Sequence, residues 1–350
     1  MKAGQIWTEE LLRWFDHSKR EFPWREDNPR DPYRVWISET MLQQTRTETV
    51  RPYYISWMEK YPHVADLAEA EESEVLHSWQ GLGYYSRARH IHQAAREIME
   101  NYGGEIPHDK ISLQKLPGIG EYTSGAILSI AYGEKQPAVD GNVLRVYARL
   151  YAVDEDILQA EGKKKIRNLA EATIPSDRPG DFNEALMDLG ADICIPRCPR
   201  CSLCPIRFFC QALAQGRTEI LPVRSQKKKP PLFYAACGII RKGNSFLMHL
   251  RPEKGMLASM WEFPMVLTEK KKESIPALEY LTGGDAGQSV WRHKHIFTHR
   301  IWDMTAYMVS RGESVPEGSD WCWQSPEKWE KIPLAGPHAR LAAFIKSALF

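Results

Sequence analysis

The sequence predicts a mostly α-helical N-terminal part and a smaller C-terminal part of the α+β class. A chain of 350 residues is too long for one typical hydrophobic core. Apolar residues recur at helical spacings of three and four up to about residue 215, whereas the chain beyond residue 231 has the texture of short strands. The expected domains are therefore 1–216, a basic linker 217–231 that ends in two prolines, and 232–350.

Turns and strands support this division. Turns rich in proline or glycine separate the predicted helices at 61–63, 81–83, 102–107 and 116–120. After the linker, the segment FYAACGIIRKGNSFLMHLRP predicts two strands joined by a turn at Lys242, Gly243 and Asn244. The chain closes on a helical pattern, LAGPHARLAAFIKSALF, so strands and helices share one small domain.

Composition argues against a membrane-spanning or secreted protein. Hydrophobic residues make up 43% of the chain and charged residues 26%, which is typical of a globular protein. No apolar run approaches the roughly 18 to 20 residues that span a bilayer. The N-terminal segment MKAGQIWTEELLRWF carries charges where a signal peptide needs an apolar stretch. We therefore expect a cytoplasmic protein.

The charge pattern points locally, but not globally, to a nucleic acid. The formal net charge is only +1. Between Cys194 and Pro230, however, eight Arg or Lys residues face a single acid, Glu219. Such a segment can neutralise phosphates, although a solvated linker would have the same composition.

Cysteines cluster in a way that predicts metal binding. Five of the seven cysteines lie between Cys194 and Cys210, and clustered cysteines in a cytosolic chain bind metal more often than they form disulfides. Four have the spacing C-x6-C-x2-C-x5-C, and Cys198 is left over; the four are Cys194, Cys201, Cys204 and Cys210. Thiolates are soft ligands for iron, so an iron–sulfur cluster is the first interpretation. A zinc site on two or three of these cysteines and simple buried thiols are the alternatives.

A hairpin between two helices precedes a conspicuous aspartate. In LQKLPGIGEYTSGAI, a short helix ends at Pro117, Gly118 and Gly120 permit a tight turn with exposed amides, and a second helix begins near Glu121. Such amides suit a phosphate. Further on, Asp140 precedes an apolar helix pattern. An aspartate there is an ordinary N-cap, and a capping aspartate is also well placed to aim its carboxylate into a cleft.

Together the hairpin, its loop and the aspartate resemble the helix-hairpin-helix-GPD superfamily of DNA glycosylases, over residues 5 to about 212. The cysteine spacing resembles the cluster loop of its endonuclease III and MutY members. The resemblance implies that the four cysteines hold a 4Fe-4S cluster, that Gly118 and Gly120 contact the DNA backbone, and that Asp140 serves catalysis. Bifunctional members carry a Schiff-base lysine where this chain has Tyr122, so the resemblance implies a monofunctional enzyme.

The segment SETMLQQT adds a second carboxyl group. Glu39 lies among apolar residues, which predicts partial burial and a raised pKa. The segment resembles the catalytic helix of adenine glycosylases of the MutY type. The resemblance implies that Glu39 protonates adenine at N7 as general acid and later helps to activate water, and that Asp140 stabilises the oxocarbenium-like sugar. It also implies that Asn142 orients Asp140 and that Tyr122 contacts the reacting centre.

Base removal from a duplex requires that the base be flipped out. By the same resemblance, Gln44 and Tyr84 intercalate, although a surface amide and a core tyrosine are their ordinary interpretations. The remaining residues expected to contact the substrate are Trp24, Arg25, Thr45, Leu82 and Glu184. Of these, Trp24, Arg25 and Glu184 match the adenine pocket.

The C-terminal part, residues 232–350, resembles the MutT-like domain of these enzymes. The glutamate-rich helix of a Nudix hydrolase is missing around 253–275, which argues for recognition rather than pyrophosphatase activity. The family's F-S-H recognition loop corresponds here to Phe297, Thr298 and His299, and a threonine hydroxyl offers the same donor and acceptor groups as serine. Three histidines alternate with other residues nearby, namely His293, His295 and His299, but no further residues that would complete a metal site accompany them.

Three functions remain open at this point. The first is a monomeric adenine glycosylase acting on double-stranded DNA with adenine opposite 8-oxoguanine or guanine. The second is another monofunctional mismatch glycosylase, such as a thymine-removing relative, which typically lacks the C-terminal domain. The third is a catalytically silent DNA-binding or redox-sensing cluster protein, against which Glu39, Asp140 and Asn142 argue.

Overall fold

The computed structural model describes residues 3–26, 29–226, 229–310 and 320–349. The chain falls into two compact units. The first contains the chain up to Glu69 together with His90–Gln226, and the second contains Ala70–Arg89 together with the chain after Gln226. In the described residues, no helix combines the length and the apolar character that crossing a membrane requires.

The described residues up to Gln226 form helices and loops, which confirms the predicted class of this part. The α-helices are α1 (Ala3–Ser18), α2 (Pro32–Leu42), α3 (Thr47–Lys60), α4 (Val64–Glu69), α5 (Glu72–Ser78), α6 (Ser86–Tyr102), α7 (Lys110–Lys115), α8 (Glu121–Ala126), α9 (Gly141–Leu150), α10 (Ala160–Thr173), α11 (Pro179–Asp192) and α12 (Gln211–Ala214). A π-helical turn, Ile127–Ala131, continues α8, and short 3₁₀ turns occur at Pro23–Arg25, Cys201–Leu203 and Arg207–Phe209.

Helix α2 is buried on almost every side. Asp31 caps its N-terminus by accepting a hydrogen bond from the backbone N–H of Tyr33 at 2.7 Å, and Pro32 occupies the first turn, where no N–H is needed. The residues from Tyr33 to Met41 are nearly all buried, as expected of a helix without a polar face. Burial of the segment around Glu39, predicted from its apolar neighbours, is confirmed.

The hairpin forms where the glycines predicted it. Helix α7 ends at Lys115 and α8 begins at Glu121. Gly118 has a φ of 77°, and a Cβ atom at this position would lie 2.7 Å from Cβ of His90. Both the backbone conformation and the close approach therefore require glycine.

The core of the first unit fixes the start of α9. Helices α1, α9, α10 and α11 pack their apolar faces together, with Leu11, Tyr147, Ile166 and Phe182 fully buried among them. The amphipathic pattern of α9 places its buried stripe against α11. The N-terminus of α9, with Asp140 as its cap, is consequently held beside α11.

The second unit has α+β character, as predicted. Its strands are β1 (Leu232–Ile239), β2 (Arg241–Lys242), β3 (Ser245–Leu250), β4 (Trp261–Glu262), β5 (Met265–Thr268), β6 (Ala286–Ile296), β7 (Ile301–Val309) and β8 (Trp321–Gln324), and its later helices are α13 (Lys271–Thr282) and α14 (Gly336–Leu349). One sheet has the order β5-β1-β7-β6, in which only β1 and β7 pair in parallel. In the other sheet β3 pairs with β2, β4 and β8.

Successive side chains of β1 belong to two different hydrophobic cores, one on each face of its sheet. Ala235 and Cys237 belong to one core, which also contains Trp302 of β7. Ala236 belongs to the other core, together with Leu278 of α13. Side chains of a strand point to opposite faces in turn, so this assignment follows from the period of two.

The segment after α12 lies against the first unit as far as Gln226. Leu221 is buried, and its carbonyl accepts a hydrogen bond from Nε of Arg149 at 2.9 Å. The carbonyl of Val223 accepts from the backbone N–H of Ile157 at 3.1 Å. Of the basic residues counted in this stretch, Lys227 and Lys228 lie outside the described residues.

Candidate active site

A cavity of about 700 Å³ opens in the first unit beside α2, α9 and α11. We call it the carboxylate cavity. Many of the predicted site residues line it: Trp24, Arg25, Glu39, Gln44, Thr45, Tyr122, Asp140, Asn142 and Glu184. Gly118 and Gly120 belong to the hairpin and do not line this cavity. Residues that are far apart in sequence are thus brought together, including both carboxyl groups singled out from the sequence.

Glu39 is buried in the wall of the carboxylate cavity, with 6% of its surface exposed. Burial disfavours its charged form and raises its pKa to about 7, although a hydrogen bond from Tyr122 opposes the rise. The hydroxyl of Tyr122 donates to Oε2 of Glu39. Burial and the neighbouring carboxyl groups raise the pKa of Tyr122 itself, so the phenol stays protonated and remains a donor.

Asp140 is held by three N–H donors. Its Oδ1 accepts from the backbone N–H groups of Asn142 at 2.9 Å and Val143 at 2.7 Å, which confirms the predicted N-cap. Its Oδ2 accepts from the side-chain Nδ2 of Asn142 at 2.9 Å. Burial raises the pKa of Asp140, while these three bonds stabilise the carboxylate and limit the rise. Glu39 accepts one such bond, so the two carboxyl groups have different environments.

Asn142 is itself oriented from behind. Its Oδ1 accepts from Nη2 of Arg145 at 2.8 Å, which directs its Nδ2 toward Asp140. Arg145 also donates to the carbonyls of Gly190 and Cys194, both at 2.6 Å. A continuous series of hydrogen bonds therefore joins Asp140 to the first of the clustered cysteines. Sequence patterns gave no sign of Arg145.

An ion-pair network forms another wall. Arg25 donates to Oε1 of Glu184 at 2.9 Å and to Oδ2 of Asp188 at 2.8 Å. Asp188 also accepts from Nη2 of Arg20 at 2.5 Å, and Glu184 from Arg30 at 3.3 Å. Burial alone would lower the pKa of Arg25, but the two carboxylates outweigh it and raise that pKa.

Sequence reasoning missed Arg20, Arg30 and Asp188. Asp188 is 1% exposed, although it carries a charge. The available signal was its position on α11, one helical turn after Glu184, which places both carboxylates on the same face. Buried acids on one helix face require cationic partners, so arginines nearby in space were to be expected.

The other predicted contact residues lie in the second unit. Tyr84 is 44% exposed, rather than a core tyrosine, and its hydroxyl lies 2.7 Å from Oγ1 of Thr298. The ring of Phe297 packs on Trp302, with centroids 4.8 Å apart, while Thr298 and His299 are exposed. Leu82 is buried, at 5% exposure, which leaves its backbone rather than its side chain for a ligand.

The clustered cysteines surround a separate small cavity. Its walls include the four cysteines of the C-x6-C-x2-C-x5-C set, and Cys198 is absent from them and exposed. Burial raises the pKa of the Cys204 thiol to about 12. Within the described residues, no three His, Cys, Asp or Glu side chains are grouped to hold a single metal ion. A cubane cluster is bound by four separate thiolates, so the donor set of this cavity fits it.

Comparisons with known proteins identify the family. Residues 37–176 match the family model of the HhH-GPD superfamily base excision DNA repair proteins, and residues 235–343 match the NUDIX domain. The chain is 37% identical to the adenine DNA glycosylase of Mus musculus, over 89% of this chain and 72% of the mouse protein. It is 30% identical to the adenine DNA glycosylase of Buchnera aphidicola (subsp. Acyrthosiphon pisum, strain APS), over 99% of both chains.

Solved structures resemble the helical part. A thermostable thymine-DNA glycosylase superposes with a TM-score of 0.54 and 30% identity, over 60% of this chain and 96% of that one. Endonuclease III in a non-covalent DNA complex shares the fold, with a TM-score of 0.51 and 24% identity, over 60% of this chain and 94% of that one. The relatives that match over most of the chain are adenine DNA glycosylases. The chain is therefore a DNA glycosylase and belongs to the adenine DNA glycosylase family of the HhH-GPD superfamily.

Proposed function

We propose that this glycosylase hydrolyses the N-glycosidic bond of adenine paired with 8-oxoguanine, or with guanine, in double-stranded DNA. The observation that carries the proposal is the pair of unlike carboxyl groups in the carboxylate cavity. Glu39 is buried with one hydrogen-bond donor, whereas Asp140 accepts three. Two carboxyl groups with different environments can act as acid and base in one reaction.

Glu39 is the proposed general acid. With a pKa of about 7, a substantial fraction of this carboxyl group is protonated at neutral pH. Tyr122 occupies Oε2, which leaves Oε1 to carry the proton. Neutral adenine is a poor leaving group, and its protonation, at N7 by analogy with the family, weakens the glycosidic bond. After departure of the base, ionised Glu39 helps to activate the attacking water.

Asp140 is the proposed partner of the sugar. Three N–H donors favour its ionised form and fix the direction of its carboxylate. A carboxylate beside C1′ stabilises the positive charge that develops on the sugar as the base leaves. Asn142 orients this carboxylate. Tyr122 offers no amine for a Schiff base, so water completes the reaction and the strand is left intact.

The remaining predicted site residues are proposed to contact the flipped adenine, the base stack, 8-oxoguanine and the DNA backbone. Trp24, Arg25 and Glu184, which line the carboxylate cavity, receive the flipped adenine. Gln44, Thr45 and Tyr84 contact the opened stack through their side chains, and Leu82 through its backbone. Phe297, Thr298 and His299 contact 8-oxoguanine, for which the hydroxyl of Thr298 supplies donor and acceptor groups. Gly118 and Gly120 present hairpin amides to the backbone. We assign base removal to a glycosylase domain, residues 1–216, and recognition of 8-oxoguanine to a second domain, residues 232–350. Residues 217–231 are the proposed linker between them.

The four cysteines of the small cavity are proposed to hold a 4Fe-4S cluster: Cys194, Cys201, Cys204 and Cys210. When bound, the cluster would order this loop and hold its basic residues toward DNA, rather than supply hydrolytic chemistry. Arg197, Arg200 and Arg207 lie within the same loop and offer cations to DNA phosphates.

A single-turnover assay tests the proposed reaction. The substrate is a duplex with one adenine opposite 8-oxoguanine, analysed with and without hot alkali. We expect strand breaks only after alkali, because the base is removed without lyase activity. The variants E39Q and D140N should bind this duplex and leave it uncut.

Breaks without alkali would contradict the monofunctional mechanism. Cleavage of a thymine mispair alone would assign the protein to a thymine-type activity, and no cleavage of either would indicate a silent DNA-binding protein.

A further inference from the structure

The loop before α6 has an unusual backbone. Gly81, Gly83 and Tyr84 all have positive φ angles, of 106°, 71° and 49°. Glycine tolerates such angles, whereas a tyrosine in the left-handed region is disfavoured and needs support from its surroundings. The loop nevertheless presents Tyr84 with 44% of its surface exposed. The surroundings must therefore hold this tyrosine in place.

Arg87 supplies that support at several points. It lies in the first turn of α6 and is only 8% exposed. Its Nη2 donates to the carbonyl of Leu82 at 3.2 Å and to that of Gly83 at 3.1 Å. Its guanidinium carbon lies 5.1 Å from the ring centroid of Trp79 and 5.5 Å from that of Tyr84. One side chain thus contacts the loop backbone and the face of the exposed ring.

Burial of a guanidinium group is costly, and the pKa of Arg87 is lowered to about 10 by that burial. The cost is offset by contacts that a planar guanidinium makes and an ammonium does not, namely a fork of N–H donors and stacking on aromatic faces. Trp79 reinforces the same loop, because its Nε1 donates to the carbonyl of Gly83 at 3.1 Å. The hydroxyl of Tyr84 is fixed separately by Thr298.

We propose that Arg87 is a positioning residue that holds Tyr84 in its left-handed conformation, so that the ring is ready to enter the base stack. This inference rests on the proposed contact of Tyr84 with DNA. Arg87 itself does not touch the substrate. Because the Tyr84 ring is already held in place, the loop need not be ordered when DNA binds, and the free energy of DNA binding is not reduced by that ordering.

A double-mutant cycle tests the proposal on the full-length, cluster-loaded protein. The variants are Y84A, R87M, R87K and the double variant Y84A/R87M. Dissociation constants are measured on a duplex with 8-oxoguanine opposite a non-cleavable adenine analogue, and thermal unfolding is recorded for each variant. The matched control is R96M, which removes an exposed arginine of the same helix that donates to the carbonyl of Ala68.

We expect Y84A to weaken binding about tenfold, the scale of one base-stacking contact. R87M should weaken it to a similar extent, R87K should not rescue it, and R96M should have no effect. The double variant should bind no more weakly than Y84A, because Arg87 acts through Tyr84. If R87M fails to fold, R87K in both backgrounds completes the same cycle.

Two results would overturn the inference in distinguishable ways. If the losses caused by Y84A and R87M multiply in the double variant, Arg87 acts elsewhere, and the proposed role of Tyr84 survives alone. If Y84A binds the duplex as tightly as the unmodified protein, the proposed contact of Tyr84 fails, and the inference about Arg87 fails with it.

Discussion

The hydroxyl of Tyr122 donates its hydrogen bond to Oε2 of Glu39 within the carboxylate cavity. This bond stabilises the ionised form of Glu39 and so lowers a pKa that burial raises. Replacement Y122F removes the donor but keeps the ring. The pKa of Glu39 should then rise further above about 7.

For Y122F we therefore expect the basic limb of the pH–rate profile to move to higher pH, since the proposed acid keeps its proton longer. The rate at its maximum should fall by about tenfold or more, because a donor near the reacting centre is lost. Single-turnover rates from pH 5 to 10 measure both effects. A basic limb that stays in place would show that Glu39 does not govern it.

Glu39 should also make stability depend on pH. Its folded pKa of about 7 lies above the ordinary value of 4.5, so its favourable contribution is complete below pH 4.5 and is lost as pH rises through about 7. The variant E39Q carries no charge and avoids this loss. We expect E39Q to be more stable than the unmodified protein at pH 8, by about 1 to 3 kcal/mol, with a smaller difference at pH 5. Chemical unfolding at both pH values checks this; equal differences would contradict it.

The orienting hydrogen bonds behind Asp140 should matter for rate more than for binding. R145Q removes the donors to Asn142, Gly190 and Cys194. Loss of the correct carboxylate direction should slow base removal about a hundredfold, while the duplex still binds. R167Q is the matched control, because Arg167 forms a partly exposed ion pair with Glu121. An R145Q variant with normal rate and weak DNA binding would argue against an orienting role.

The buried ion-pair network predicts a stability cost for loss of its carboxylate. D188N removes the negative charge that Arg20 and Arg25 share as a partner. Because Asp188 is 1% exposed, we expect destabilisation of about 3 kcal/mol. D192N, which removes a half-exposed partner of Arg20 at 3.5 Å, should cost less than about 1 kcal/mol. Denaturant unfolding of both variants makes the comparison, and equal costs would contradict the importance of the network.

The cysteine cavity predicts which thiols bind iron. C204S should lose the visible absorbance and most of its iron, because it removes one of four ligands. C198S should retain both, at about four irons per chain, since Cys198 is exposed and outside the cavity. Iron analysis and absorbance of the purified proteins test this assignment. Loss of iron from C198S would require a different set of four.

Short sequence patterns predicted the helix cap, the hairpin turn and the buried carboxyl group of the candidate site. Asp140 caps its helix as expected, and the hairpin turns at Gly118 because its backbone conformation excludes other residues. The burial of Glu39 followed from its apolar neighbours. In each case the signal that predicts the feature lies within a few residues of the chain, where spacing and residue type are informative.

Contacts between distant segments could not be predicted in this way. Arg20 and Asp188 are 168 positions apart, and Tyr84 and Thr298 are 214 apart. Such pairs depend on how helices and sheets pack, to which periodicity and spacing are blind. The assignment of residues 70–89 to the second compact unit is a property of the same kind.

Gly190 shows how little is needed to disable this arrangement. A Cβ atom at this position would lie 2.6 Å from Cβ of Asn142, a distance that real side chains do not tolerate. One methyl group would therefore displace the amide that faces Asp140, without removing any ionisable group or any thiol. A harmful change can thus sit at a residue that has no side chain and no chemistry of its own, and a survey limited to reactive residues would overlook it.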